Sequence, residues 1–306
     1  MKTVLTYLVL VYMLLTHSSL AQQPQIHQYS TTPALTLDSA SILVETNKCI
    51  HAIAFDNKGE MFVGGCRDIY RITSNRVVEH FITLSDTSSK TCIWGMIFNS
   101  KGDLYIAAFD RIVKVTSSGE QTVVVQEDFS GPCGVTDLRF DQQGRLLAVY
   151  DDIVARYDSA MNKSILISGK NLTPPIQWGV GLELDEQESI LYIADCNGKN
   201  LYLIPYQSDS MSAIKVFPTN MGQYLTKNSQ GEIFLTMHGP PSYPEFLMFY
   251  NMELKYSIRS MKQPVQDGRS YKKTIAWNNF DDNKRILYCI VGSAIYAYNL
   301  SEASTK

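Results

Sequence analysis

The chain has 306 residues, 45% hydrophobic and 19% charged, with a net charge of −3 at pH 7. Such a composition folds rather than staying disordered, and the length allows one large domain or two ordinary ones. The mild acidity excludes a phosphate-backbone binder, which would carry a basic stripe, and the 18 tyrosines and 12 phenylalanines lean toward strands.

The first 21 residues have the three parts of a secretory signal peptide in order. Met1-Lys2-Thr3 is a short basic start, Val4 to Leu15 is apolar, and Ser19-Leu20-Ala21 places small residues before Gln22. The apolar run would rise only about 18 Å as a helix, too short for a bilayer core. The expectation is a secreted, extracellular chain beginning at Gln22, with 22–40 as an N-terminal extension and 301–306 as a C-terminal tail.

From His51 onward one pattern recurs. HAIAFDNKGEMFVGGCRDIYRIT begins at His51, WGMIFNSKGDLYIAAFDRIVKVT at Trp94 and TDLRFDQQGRLLAVYDDIVARYD at Thr136. Related segments begin at Val180, Gln223 and Lys273, which makes six copies. In each, a β-rich stretch runs into a polar turn with Asp or Asn, usually with Gly. A second and a third strand follow. Fourth strands are expected at Val77–Leu84, Gln121–Gln126, Lys163–Ser168, Ser212–Phe217 and Leu254–Ile258. Four strands per repeat of about 43 residues predict an all-β, six-bladed β-propeller of four-stranded antiparallel blades over residues 41–300.

The sixth copy ends after its third strand, near Leu300, whereas Ser41–Thr46 (SILVET) is a surplus strand before the first copy. The N-terminal strand is therefore expected to complete the last blade and close the ring, which removes two exposed sheet edges.

Segments such as KGDLYIAAFDRIVKV and LYIADCNGKNLYLI resemble the strand pairs of the NHL-repeat and gluconolactonase (senescence marker protein)-like six-bladed propellers. That resemblance implies the fold over residues 41–300 and leaves function open, because this superfamily includes hydrolases, lyases, synthases and binding modules. Its gluconolactonase branch binds a divalent cation through a Glu, two Asn and an Asp near the starts of inner strands. The matching positions here hold His51, Thr136, Val180 and Gln223, with Asp137 and Asp195 nearby. No metal ligand and no catalytic residue is assigned, and no cofactor is expected. Ca²⁺ would enter only under the alternative of a lactone or ester hydrolase.

In a propeller the inner strands begin, and the second strands end, on one face. The ligand-binding candidates on that face are His51, Trp94, Thr136, Asp151, Trp178, Asp195, Gln223, His238 and Lys273. Their mixture of ring, amide and charge suits a small ligand or a peptide with polar and apolar parts. His51 with Asp195 or Asp151 would make an acid–base pair, but no nucleophile motif accompanies them. The leading expectation is a non-catalytic, monomeric binding protein for an extracellular partner or small ligand, with neither nucleic acid nor a membrane span; an extracellular matrix structural role is the further alternative.

Six cysteines in a secreted chain suggest disulfides. Cys49, Cys66, Cys92, Cys133 and Cys196 fall near the ring face, which favours short bridges such as Cys66 with Cys49 or Cys92. Cys289 lies inside a strand as a buried thiol. Glycosylation sequons stand at Asn162, Asn171 and Asn299.

Overall fold

The computed structural model describes residues 34–37, 41–46, 48, 50–85, 92–126, 134–187, 189–206, 215–219, 222–237, 246–260, 275–281, 286–291, 293–300 and 304–305. The expected signal peptide and the candidates His238, Lys273, Cys49 and Cys133 lie outside these residues. Two strands, β1 (Ala34–Leu37) and β2 (Ser41–Glu45), precede the repeats. Blade 1 comprises β3 (Ile50–Phe55), β4 (Met61–Gly65), β5 (Asp68–Ile72) and β6 (Val78–Thr83). Blade 2 is β7 (Ile93–Phe98), β8 (Leu104–Ala108), β9 (Arg111–Val115) and β10 (Gln121–Gln126). Blade 3 is β11 (Val135–Phe140), β12 (Leu146–Tyr150), β13 (Ile153–Tyr157) and β14 (Lys163–Ser168). Blade 4 is β15 (Gly179–Asp185), β16 (Ile190–Asp195), β17 (Asn200–Pro205) and β18 (Lys215–Pro218). Blade 5 contains β19 (Gly222–Lys227), β20 (Ile233–Met237), β21 (Phe246–Tyr250) and β22 (Glu253–Ser260). The last repeat supplies β23 (Ile275–Asp281), β24 (Ile286–Val291) and β25 (Ala294–Asn299), and β26 (Ser304–Thr305) ends the chain's strands.

The recurrent Asp/Asn and Gly have a local cause. Asp56 Oδ1 accepts the backbone N–H groups of Lys58 (2.9 Å) and Glu60 (2.8 Å), and Gly59 turns the chain at φ +79°. Asn99 repeats this with Lys101 and Asp103, and Asn228 with Gln230 and Glu232. A short side chain that mimics a turn of backbone, followed by a residue free to adopt positive φ, therefore sets the first hairpin of blades 1, 2 and 5.

Packing explains why the second strands read as apolar runs rather than alternating ones. Every residue of β4, β8, β12, β16 and β20 is buried, because each blade is covered on both faces by its neighbours. The inner strands pack in a ring, β3 beside β7, then β11, β15, β19 and β23, and β23 returns to β3.

The ring closes as expected. β2 pairs antiparallel with β25, Val44 standing opposite Ile295 and Glu45 opposite Ala294, and the last sheet has the order β2-β25-β24-β23. Thr46 continues the ladder, its N–H and its hydroxyl both donating to Ser293 O, at 2.8 and 2.9 Å. The termini add something the repeat did not announce. β1 lies parallel to β22, and β26 pairs antiparallel with β1, so the sheet of blade 5 has six strands. Both segments cover the outer edge of that blade, which otherwise would offer an unpaired ladder. Among the described residues, no helix is long and apolar enough to cross a membrane.

Candidate functional site

The inner strands share a local irregularity at their starts. The register of β3 on β4 shifts between Ile50 and Ala52, leaving His51 as the extra residue. Corresponding shifts leave Trp94 in β7, Thr136 in β11 and Val180 in β15. In β19 the shift spans Gln223 and Tyr224, and in β23 it falls between Ile275 and Asn278. A bulge bends the strand and re-aims a side chain. Repeated in every blade, it sets a ring of residues at one mouth of the central channel. Four of the sequence candidates occupy it, His51, Trp94, Thr136 and Gln223, together with Val180 at a position matched to the metal-binding propellers.

Two groupings form on this face. On blades 1 and 2, the His51 and Trp94 rings lie 5.6 Å apart at 33°. Burial lowers the His51 pKa below its ordinary 6.5, so the imidazole is neutral at pH 7. A base depressed in the folded state contributes stability that is complete above the unfolded pKa and is lost as pH falls through the lower folded one. The fall in urea midpoint from pH 7.5 to pH 5 is therefore expected to be smaller in His51→Phe than in the natural chain, with the urea slope unchanged.

On blades 4 and 5, Trp178, Asp195, Cys196 and Gln223 come together. Asp195 is fully buried and accepts three backbone N–H groups, Gln177 (3.0 Å), Trp178 (2.9 Å) and Gly198 (2.9 Å). Cys196 N–H donates to Trp178 O at 3.0 Å, and Gln223 Nε2 donates to Cys196 Sγ at 3.7 Å. Asp195 is thus a positioning group that fixes Trp178 and the turn after β16; both its oxygens are occupied by backbone amides. Asp151 sits at the β12–β13 turn at φ +49°, and its carbonyl accepts Gly179 N–H from the next blade at 2.6 Å. Thr136 is buried, and its hydroxyl lies 3.1 Å from Val149 O and 3.2 Å from Gly179 O, so it stitches blade 3 to blade 4.

Three buried polar atoms on this face have no hydrogen-bond partner among the described residues: Trp94 Nε1, Trp178 Nε1 and Gln223 Oε1. Unsatisfied buried groups are uncommon and call for a physical explanation.

The expected bridges of Cys66 and Cys196 are corrected here. Cys66, exposed at the end of β4, and Cys196, buried after β16, are free thiols, and no disulfide joins two described cysteines. They stand on blades 1 and 4, across the ring, and the Cys196 thiol, its pKa raised by burial, is engaged by Gln223. Cys289 is buried within β24, as expected. Asn162 and Asn171 are exposed, whereas Asn299 is half-buried in β25.

The divalent-cation set of the gluconolactonase branch does not fit. The four bulge positions offer an imidazole, a hydroxyl already engaged, a valine and an amide, where a hard cation needs oxygen ligands, mostly charged. Asp137 does not substitute, because it is occupied by Arg139 and by the N–H groups of Leu138 and Leu182. Among the described residues no group of three or more His, Cys, Asp or Glu comes together.

Sequence reasoning missed what lies at the other end of the channel. Arg139 in β11 donates to Asp137 (2.8 Å), Glu183 (3.0 Å), Leu138 O (2.7 Å) and Leu225 O (2.6 Å), linking inner strands of three successive blades. Burial pushes the Asp137 carboxyl up to about 6, against the pull of Arg139 and two backbone N–H groups. Beside this cluster is a cavity of about 250 Å³. The lone signal in the sequence is three charged residues on inner-strand positions, which in isolation look like ordinary solvent-facing alternation.

No protein-family model and no curated protein matches the sequence. Solved structures do. A gluconolactonase from Xanthomonas campestris superposes with a TM-score of 0.65 at 12% identity, over 90% of this chain and 95% of that one. A catalytically inactive virginiamycin B lyase from Staphylococcus aureus, with quinupristin, gives 0.60 at 15% identity over 83% and 82%. A chain of the nidogen/laminin complex gives 0.60 at 13% identity over 80% and 91%. The chain shares the β-propeller fold with all three. At these identities the likeness concerns the fold and no activity.

Proposed function

We propose that this protein is a secreted, non-catalytic binding propeller that holds a small ligand or an extracellular protein partner on the ring face around His51, Trp94, Trp178 and Gln223. The observation that carries this reading is the set of unpartnered buried atoms on that face, two indole donors and one amide acceptor, beside the apolar ring surfaces of the same residues. A ligand whose polar part offers acceptors to the indoles and a donor to the amide oxygen, and whose other part is apolar, satisfies both. Of the structural neighbours, the nidogen/laminin chain comes from a protein–protein complex and the lyase is seen with quinupristin, so this fold supports both kinds of partner. Secretion rests on the segment 1–21.

The shared fold with gluconolactonases favours one second reading, a lactone or ester hydrolase. A single preparation separates the two. Protein recovered from the medium and beginning at Gln22 is expected to carry no stoichiometric Ca²⁺ or Zn²⁺ and to turn over neither lactones nor aryl esters. Fragment binding is expected to shift the indole N–H resonances of Trp94 and Trp178 together. Stoichiometric metal with chelator-sensitive turnover would overturn the binding reading.

A further inference from the structure

The inner strands run in the same sense, so their C-terminal ends meet on the face opposite the bulge ring. There the cavity of about 250 Å³ has two unlike walls. Blades 1 and 2 line it with Ile53, Phe55, Met96 and Phe98; blades 3 to 5 line it with Arg139, Glu183, Thr226 and Lys227.

The polar wall is unevenly paired, although Arg139 and Lys227 together match Asp137 and Glu183 in number. Arg139 pairs with both Asp137 and Glu183, at 2.8 and 3.0 Å. The oxygens of Glu183 accept from Arg139 and from Leu184 N–H, so Glu183 is already used. Lys227 has no carboxylate partner among the described residues. Its ammonium donates to Leu184 O at 2.6 Å, which occupies one of three N–H groups. Next to it Thr226 is buried, and its hydroxyl makes no hydrogen bond among the described residues. A half-buried ammonium and a hydroxyl, facing an aromatic and aliphatic wall, are complementary to a small anion with an apolar body. At ~30 Å³ per water-sized group, the space takes about eight such groups.

We infer that this lower channel mouth is a second binding site, separate from the ring face, for a small aromatic or aliphatic monocarboxylate of six to seven carbons in all. Lys227 and Thr226 receive the carboxylate, while Ile53, Phe55, Met96 and Phe98 cover the body. The site does not depend on the ring-face reading, which concerns different residues at the other mouth.

Benzoate and hexanoate are the probes, titrated into the full chain by calorimetry and ligand-observed NMR. Both are expected to bind saturably. Benzyl alcohol, which has the same ring without the charge, is expected to bind at least about tenfold more weakly, as loss of a charge-assisted hydrogen bond implies. Lys227→Met should lose benzoate affinity by a similar factor, and Lys227→Arg should retain it. Trp94→Ala, on the ring face, should leave it within about twofold. Equal affinity for benzoate and benzyl alcohol, a measurement on the natural chain alone, would overturn the proposal even if Lys227→Met fails to fold. So would the absence of saturable binding at millimolar benzoate and hexanoate, or a benzoate affinity abolished by Trp94→Ala.

Discussion

Replacing Arg139 with methionine is expected to destabilise the protein by about 3–5 kcal/mol at pH 7.5, the range for removing one partner of a buried ion pair. The Arg139 side chain is 15% exposed and that of Asp137 is 1% exposed. Deleting the guanidinium strands two carboxylates and frees the carbonyls of Leu138 and Leu225, and it removes the link between β11, β15 and β19. The loss should depend on pH in a direction that follows from Asp137. An acid whose folded pKa is raised contributes most stability while protonated in both states, and that contribution falls as pH rises through the folded value. Here the window runs from the ordinary 3.8 to about 6, and removing Arg139 moves its upper end higher. Arg139→Met should therefore be less damaging at pH 5 than at pH 7.5. Adding Asp137→Asn and Glu183→Gln to it should restore much of the loss. Urea midpoints at the two pH values test this; a loss below about 1 kcal/mol, equal at both, would show that the cluster is not a structural ion-pair network.

The second large effect is expected at the ring closure. Val44 is 6% exposed and packs in the cluster that holds Ile50, Ile290 and Ile295. Val44→Asp places an unpaired charge there, and a loss of about 3–5 kcal/mol is expected, with an apparent increase in self-association as the edge of β25 opens. Deletion of residues 34–46 should do at least as much harm, because it removes β1 as well as β2. Replacing 34–37 alone with a Gly/Ser segment separates the two contributions: β1 covers only an outer edge, and its loss should cost well under half as much. Calorimetric unfolding and light scattering of the three variants check this, and an unchanged midpoint after deletion of 34–46 would remove the strand exchange as a source of stability.

Much of the architecture was legible because it is repeated. A turn of Asp56 or Asn99 with a following glycine uses residues whose backbone preferences are local, so each copy announces itself, and the missing last strand at Leu300 pointed directly to Ser41–Thr46. The ring positions were legible for the same reason, since residues equivalent in the repeat are equivalent in space. What those residues do was less readable. Asp195 carries a carboxylate that looks available to a ligand, yet the turn after β16 brings three backbone N–H groups onto it. Thr136 looks like a ring donor, yet its hydroxyl is used against blade 4. The strands β1 and β26 carry no period, being only four and two residues long, and only a neighbouring edge gives them a conformation.

The sequence by itself determined the number of blades, the strand that closes them and where the inner strands begin among the described residues, because turn chemistry and strand patterning act within a few residues. The tertiary structure alone decided which polar groups are spent and which remain available. Asp137, Arg139 and Glu183 meet across two blades, and Lys227 is left without an ion pair among the described residues, only when the ring is closed. Burial and pairing depend on what arrives from distant parts of the chain, and no local pattern encodes that arrival.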